Sequence, residues 1–553
     1  MAPQPGSSGE RRGSPLEKGE EGPLKKARRK TILALLLVLL GVVLFMASNM
    51  TVILEEGLAL AKGERILLHT VLRILGGMAG FLKEYSSLLL GGYGMFIAAA
   101  IFFEERNPDR TIAWLLVLLL VPVLGFVLYL FFGPDIRRRK AFRKLKRSRT
   151  AFRTGESGVS HAVEPPCGEG RDMTRKTVSL LSRNAGALPS FGNSVTMLLN
   201  GEETFAAIKK SLLEAKHFIH LEYYIIENGS IGGEIRDILV SKASSGVAVR
   251  VIYDSVGSWR LGKKFVRDLE KGGVQVHSFL PVSFPMVRRD LNYRNHRKII
   301  VVDGAVGFMG GLNIGDRYIT GDPEMGFWRD THIRIQGEGA ARLNDIFVSD
   351  WEFCTKAPFP AQTSAPLPSG GNTSLQIVAS GPDSNWRSIL HGYFSLIANA
   401  RKSVWICTPY LVPGESLATA LVVAAMSGVD VRLMIPHRTD HALVYWASLS
   451  NVESLLRAGV KVYSYEKGFL HSKILIADEC IVSVGTANMD ARSLEINFEV
   501  QSFVYDPAVA RDFLRAFTED LDSCSQFRLR DWLKRPLWRK TLEAAGRLWS
   551  SQL

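Results

Sequence analysis

The chain has 553 residues, 46% of them hydrophobic and 22% charged, with a formal net charge of +14. That length leaves room for two or three domains. The charge is uneven: residues 1–150 hold 23 Lys and Arg against 12 Asp and Glu, and a basic first quarter beside apolar segments points to anionic lipid rather than nucleic acid.

Residues 1–30, rich in Gly, Pro, Ser, Lys, Arg and Glu, bury too little apolar surface to fold and read as a disordered basic tail. Residues 31–133 read as a transmembrane region. The uncharged stretch 31–54 is long enough to cross a bilayer and too long for a cleaved signal core, and KKARRK precedes it. Residues 86–103 and 111–133 are further candidate spans, and Pro122 is tolerable within the last. Both the N-terminal basic cluster and the run 137–149 belong on the cytoplasmic side, which demands an even number of crossings. We therefore expect 86–133 to form a hairpin around EERNPDR, with the status of 31–54 and 67–82 open.

Residues 134–190 read as a basic segment and polar linker. Two α/β halves are then expected, 191–354 and 375–553, joined by a connector at 355–374 rich in Pro, Ser, Thr and Gly. In each, helix-like stretches alternate with short apolar strands, which predicts α/β/α sandwiches with mixed, largely buried sheets. The halves repeat one another: KHFIHLEYYII from Lys216 resembles KSVWICTPYLV from Lys402, and VAVRVIYD from Val247 resembles VDVRLMIP from Val429. The first half carries an extra loop, FLPVSFPMVRRDLNY, whose Pro, Phe and Met suit either lipid contact or packing. The C-terminal WLKRPLWRKTLEAAGRLW sets aromatic and basic residues at helical spacing, which suits a helix on a membrane surface or one docked on the domain. The five cysteines, Cys167, Cys354, Cys407, Cys480 and Cys524, show no metal-ligand spacing; Cys407 and Cys480, inside apolar runs, read as reduced core residues.

The strongest repeat is short. NHRKIIVVDGAVGFMGGLNIGD aligns with LHSKILIADECIVSVGTANMD so that His296 matches His471, Lys298 matches Lys473, Asp303 matches Asp478, Gly310 matches Gly485 and Asn313 matches Asn488. His and Lys two apart on a strand share a face. The Asp-containing turn between apolar runs folds Gly and Asn back beside them. Glycine would let a ligand approach the backbone, and Asn offers an amide donor. Two such units facing each other supply two imidazoles, two ammoniums and two amides, a set suited to a phosphodiester, whose reaction concentrates charge on non-bridging oxygens. One imidazole must attack phosphorus and form a phosphohistidine, while the other donates to the leaving oxygen.

The candidate catalytic residues are thus His296, Lys298, Asp303, His471, Lys473 and Asp478, the two aspartates as holders of the hairpin or lysine rather than as acids or bases. Lys298, Asn313, Lys473 and Asn488 are the candidate phosphate ligands. Asp330 and Glu499 are candidate orienting carboxylates, without assignment to a particular histidine. Glu222, Tyr223 and Tyr410 are possible lining residues. No metal or cofactor is required, because lysines and amides stabilise the charge, and no carboxylate cluster suits a two-metal site.

The doubled HxKxxxxD motif resembles that of the phospholipase D superfamily over most of residues 190–510. YRNHRKI, WRDTH, TPYLVP and GTANMDARSLEINFE, together with ERNPDRTIAWLLVLLLVPVLGFVLYLFFG, resemble bacterial cardiolipin synthases of that type. The resemblance implies a multi-pass protein of the bacterial inner membrane with a cytoplasmic catalytic region. It implies transfer of a phosphatidyl group from one phosphatidylglycerol to another with release of glycerol, His296 acting as nucleophile and His471 as acid. Gly311 and Thr486 occupy a position often filled by serine in the superfamily, and only Thr486 keeps a hydroxyl. Phosphatidylglycerol and anionic lipid are the expected partners, and nucleic acid is not. Hydrolysis by a membrane-bound phospholipase D, and less so a nuclease of the superfamily, remain alternatives at this point. A non-catalytic lipid scaffold would carry decayed motifs, and neither motif has decayed.

Overall fold

The computed structural model describes residues 170–281, 293–360 and 370–549, together with positions 112, 114, 116 and 117. Those four positions are helical and belong to the unit 1–122, whereas everything below belongs to the unit 123–553. The tail 1–30, the segments 31–54, 67–82 and 86–103, nearly all of 111–133, the run 137–149, the loop 282–292 and much of the connector lie outside the described residues. No helix of the described residues is long and apolar enough to cross a membrane.

The first half contributes β1 (Ser190–Leu199), β2 (Phe218–Tyr223), β3 (Ala248–Asp254), β4 (Gln275–Phe279), β5 (Lys298–Val302), β6 (Val306–Gly310), β7 (Phe327–Arg329) and β8 (Thr331–Gln336). The second contributes β9 (Thr373–Ser380), β10 (Ser403–Cys407), β11 (Leu411–Val412), β12 (Asp430–Pro436), β13 (Lys461–Tyr465) and β14 (Gly468–Leu470). It continues with β15 (Ile474–Ala477), β16 (Ile481–Gly485), β17 (Met489–Asp490), β18 (Glu499–Tyr505) and β19 (Cys524–Gln526). Outward from the middle, the first half runs β1-β8-β6-β5-β2-β3-β4 and the second β9-β18-β16-β15-β10-β12-β13-β19. The pairing sense repeats as well: β2, β3 and β4 are mutually parallel, as are β10, β12 and β13, and the junctions from β1 to β2 and from β9 to β10 are antiparallel.

Two separate sheets were the sequence expectation. Instead β1 pairs antiparallel with β9, Ser190 against Leu375 and Asn193 against Thr373, so the halves share one 15-stranded sheet. The strands alternate between two apolar layers, as a sheet covered on both faces must. Ile300 and Val302 of β5 pack into the first half's own core, and Leu475 and Ala477 of β15 into the second's. Ile299, Val301, Ile474 and Ile476 point the other way, into a layer common to both halves. The common layer makes the relative placement of the two histidine-bearing strands a property of the core.

The linker expectation is corrected near its end. Residues Arg171–Ala185 form a helix that closes on Gly186 in the left-handed conformation. Its Met173, Val178 and Leu181 recur at helical spacing and join the second half's core, and Thr177 hydrogen-bonds Ser395 at 2.9 Å. Of the described cysteines, Cys354, Cys407 and Cys524 are free. Cys480, expected as a reduced core residue, is buried in the second half's core as expected but is disulfide-bonded; it follows the Asp478-Glu479 turn rather than lying inside a strand.

The motif aspartates build the two turns. Asp303 and Gly304 both have positive φ, as do Asp478 and Glu479, which is the geometry of a tight hairpin turn. Asp303 accepts from the backbone N–H of Lys216, His217 and Phe218 at 2.8, 2.7 and 2.8 Å, starting β2. Asp478 does the same for Arg401, Lys402 and Ser403, starting β10, at 2.9, 2.7 and 3.0 Å. Neither reaches the lysine, a correction to one of the two roles expected for them. Each sits at the far end of its strand from the histidine. Replacing Asp303 with Ala is expected to orphan the three amides and cost roughly 2–3 kcal/mol, read as a lower midpoint in chemical denaturation, with Asp303→Asn intermediate. An unchanged midpoint would contradict this role.

Candidate active site

The backbone sets the site before any side chain does. β14, which leads into His471, pairs in parallel with β7 of the other half, Leu470 opposite Arg329, and the His471 N–H donates to the Arg329 carbonyl at 2.7 Å. On the symmetric side Asn295 bridges Phe498 in parallel, and the His296 N–H donates to the Phe498 carbonyl at 2.9 Å. Each histidine segment therefore runs beside the residues that immediately precede the other half's carboxylate.

The side chains cross accordingly. His296 Nδ1 lies 3.0 Å from Glu499 Oε2, and His471 Nδ1 lies 2.6 Å from Asp330 Oδ2. A carboxylate accepts, so each Nδ1 carries the proton and each Nε2 is left with its lone pair. Both histidines line one cavity of about 530 Å³. The carboxylates are held in turn: Thr331 N–H donates to Asp330 at 2.7 Å, and the Thr486 hydroxyl donates to Glu499 at 2.5 Å.

That explains the asymmetry at the position often filled by serine. A Cβ at Gly311 would collide with the Asp330 carboxylate, so this glycine makes room for Asp330, while the Thr486 hydroxyl is spent on Glu499. The motif glycines also act differently from expectation. A side chain at Gly310 would meet the Thr331 carbonyl and His332 at 2.5 Å, and one at Gly485 would strike Val500 and Gln501. They admit the neighbouring strand rather than a ligand.

Lys298 donates to the His296 carbonyl at 2.8 Å and Lys473 to the His471 carbonyl. Both ammoniums are buried. Burial is the main reason that Lys298 falls to about 7 and Lys473 to about 8, with their mutual repulsion adding to it for Lys298. Burial first, offset by Glu499 and reinforced by Lys298, pulls His296 to about 4; burial and the two lysines hold His471 well below its ordinary value. Burial also raises Asp330 to about 6, against the pull of Lys473. The surroundings of these histidines and lysines thus disfavour added positive charge.

Of the remaining sequence candidates, Asn313 and Asn488 line the cavity. Asn313 is partly committed, donating to the Tyr318 hydroxyl at 3.1 Å and accepting from Ile225 N–H at 3.2 Å. Tyr410 lines it too and donates to Asp440 at 2.7 Å. Glu222 and Tyr223 do not: both are fully buried in β2. Burial, with Asp350 nearby, keeps Glu222 well above the carboxylate range, and it accepts from Asn295, the neighbour of His296, at 2.5 Å.

The lining tyrosine is Tyr224, whose ring lies 4.9 Å from that of His296. Aligning the repeats from Lys216 and Lys402 puts Tyr224 opposite Tyr410, so the signal was present and was read one residue early. Arg317 and Arg492, each four residues beyond its motif asparagine, also line the cavity and were legible the same way. Arg294 and Asp440 have no repeat partner of their kind and left no such signal. No cluster able to hold a metal ion occurs among the described residues.

A family model described as "Cardiolipin synthase, PLD-like domain" matches residues 208–351 and 393–521, and one described as "Phospholipase_D-nuclease N-terminal" matches 95–134. The chain is 44% identical over 464 residues to "Cardiolipin synthase 2" of Bacillus anthracis, covering 83% of this chain and 89% of that protein. It is 41% identical over 460 residues to "Major cardiolipin synthase ClsA" of Bacillus subtilis, covering 81% and 95%. Among solved structures, the phosphatidylserine synthase of Haemophilus influenzae Rd KW20 shares the fold, with a TM-score of 0.53 at 14% identity, over 68% of this chain and 100% of that one.

The shifts give a stability signature. The folded value of His296, about 4, lies below its ordinary 6.5, so between them the unfolded chain binds the extra proton and stability falls as pH drops. Asp330, raised from 3.8 to about 6, works in the opposite sense, so wild type alone does not isolate either group. The stability difference between wild type and His296→Gln, from denaturation midpoints, is expected to be flat above pH 6.5 and to shift against wild type down to about pH 4. A pH-independent difference would contradict the burial argument.

Proposed function

The chain belongs to the cardiolipin synthase family of phospholipase D-like proteins, and from that premise we propose that it joins two phosphatidylglycerols into cardiolipin, releasing glycerol, through a phosphohistidine. The observation that carries the mechanism is the pair of crossed histidine–carboxylate contacts opening on one cavity.

With its Nδ1 proton held by Glu499, His296 presents a lone pair on Nε2 and is the nucleophile. It attacks the donor's phosphorus, the bond from phosphorus to the glycerol oxygen breaks, and His471 gives that oxygen a proton. The acceptor's terminal hydroxyl then loses its proton to His471 and attacks the same phosphorus. The P–N bond breaks, cardiolipin leaves, and both imidazoles return to their starting state. Lys298 and Lys473 stabilise the charge that gathers on the non-bridging oxygens, with Asn488 and the remaining capacity of Asn313 as amide donors.

The low proton affinity of His471 fits this cycle. Burial first, and then the two lysines, hold this imidazole neutral; a phosphodiester anion bound beside the lysines offsets their part and raises the proton affinity of the acid. Asp330 and Glu499 hold tautomer and direction, as the carboxylate does in other histidine-based sites. Hydrolysis would use the same intermediate with water as acceptor.

We also propose that residues 86–133 form a membrane hairpin, supported by the match over 95–134, and that 31–54 adds to the anchor. The basic run 137–149 supports a catalytic region on the cytoplasmic side. Residues 191–354 and 375–553 are the two halves of that region. A bilayer-held acceptor favours a lipid hydroxyl over water by proximity.

Purified full-length protein given phosphatidylglycerol is expected to yield cardiolipin and glycerol, followed by lipid chromatography and a glycerol assay. Phosphatidic acid without cardiolipin would overturn the transfer reading. His296→Ala and His471→Ala are each expected to abolish turnover while keeping the wild-type circular dichroism spectrum. Retained turnover in either would overturn the shared site.

A further inference from the structure

The last helix, Leu537–Trp549, lies on the helix Ala442–Arg457 with its polar side inward. At about 100° per residue, Leu537, Trp538, Leu542, Ala545 and Leu548 fall on one face, and Arg539, Glu543, Gly546 and Arg547 on the other. The polar inward contacts come from the second face, and from the first only the Trp538 ring reaches the helix beneath, edge to face with Trp446 at 6.2 Å. A Cβ at Gly546 would meet the Ala447 nitrogen at 2.6 Å, so the two helices approach closely there. Glu543 is buried and accepts from Arg535 at 2.7 Å, and Arg547 donates to the Ser450 carbonyl at 3.3 Å. The apolar face is left to solvent: Leu537 is 79% exposed, Leu548 84% and Trp538 56%.

This inverts the arrangement of an ordinary surface helix, whose apolar stripe faces the core. Residues 529–549 also carry six Arg and Lys against Asp531 and Glu543, and Glu543 is neutralised by Arg535. Lys534, Arg539 and Lys540 are exposed beside the leucines and Trp538. The helix beneath begins at the cavity: His441, Leu443 and Val444 line it, and Leu443 is 41% exposed.

We propose that this face is a second membrane-docking surface, an interfacial helix that rests on an anionic bilayer and holds the mouth of the cavity against it. An exposed apolar face with cationic residues beside it, and no uncompensated carboxylate among Leu537–Trp549, matches the boundary between acyl chains and anionic headgroups. It is a poorer match for a second copy of itself, whose like-charged rim it would have to oppose. The proposal rests on the reading that the substrate is a bilayer lipid, and it assigns this helix the task of delivering that lipid to the cavity.

The test uses the full chain reconstituted in vesicles of phosphatidylglycerol and acyl-brominated phosphatidylcholine. The fluorescence difference between wild type and Trp538→Phe isolates Trp538. Quenching of that difference signal by the brominated chains, with protection from aqueous iodide, is the expected result. Iodide quenching without bromine quenching would overturn the proposal. So would a detergent-solubilised dimer that Leu537→Glu/Leu548→Glu converts to monomer. That double variant, altered only at exposed positions, is expected to raise the apparent KM for vesicle-borne phosphatidylglycerol on the order of tenfold while changing turnover of detergent-dispersed short-chain phosphatidylglycerol by less than about twofold. Equal losses in both assays would also overturn it. Quenching is read without turnover, so its failure is distinguishable from a failure of the catalytic reading.

Discussion

The structure turns on the crossing of two short parallel pairings. β14 runs beside β7 and Asn295 beside Phe498, and each pairing delivers one half's imidazole to the other half's carboxylate. Neither half owns a complete histidine site. The orienting group, the tautomer and the direction of each Nε2 come from across the seam, so a half folded alone would hold an imidazole without its carboxylate. The continuous sheet and the shared apolar layer follow from the same requirement. The two histidines line one cavity, and a common core of Ile299, Val301, Ile474 and Ile476 fixes the strands that follow them by close packing.

The electrostatics have a matching logic. Two imidazoles line the cavity, two buried lysines and two buried carboxylates sit behind them, and burial drives each shifted group toward its neutral form. Such a site is costly to hold and is expected where chemistry needs it. A bound phosphodiester would add negative charge beside these groups and favour the protonated forms of the histidines and lysines.

Much of this was legible in the residues. The doubled His-x-Lys spacing, the Asp turns and the Asn beyond them gave the repeat, the mixed sheet and the phosphate chemistry, because strand periodicity and turn conformation are local. The partner of each histidine was not legible. Asp330 and Glu499 stood out as carboxylates ending or following strand-like segments downstream of each motif, but which serves His296 depends on a pairing 203 residues long in sequence. The partners of Gly311 and Thr486 were not legible for the same reason: the carboxylate that one admits and the other binds arrives from the neighbouring strand. Tyr223 failed by register, since a one-residue slip along a strand exchanges cavity for core, and Glu222 lies inside the fully buried strand β2. The helix Arg171–Ala185 reads as linker because its few core positions, Met173, Val178 and Leu181, lie among many polar residues.

A donor with a good leaving group, phosphatidyl p-nitrophenol, separates the two histidines, because nitrophenolate needs little protonation to depart. Stopped-flow release of nitrophenol then reads the first step alone. If His296 is served by Glu499 and His471 by Asp330, Asp330→Asn retains a near-normal burst, as does His471→Gln, whereas Glu499→Gln and His296→Gln lose it. The reverse pattern, with Glu499→Gln sparing the burst and Asp330→Asn removing it, would contradict the crossed site.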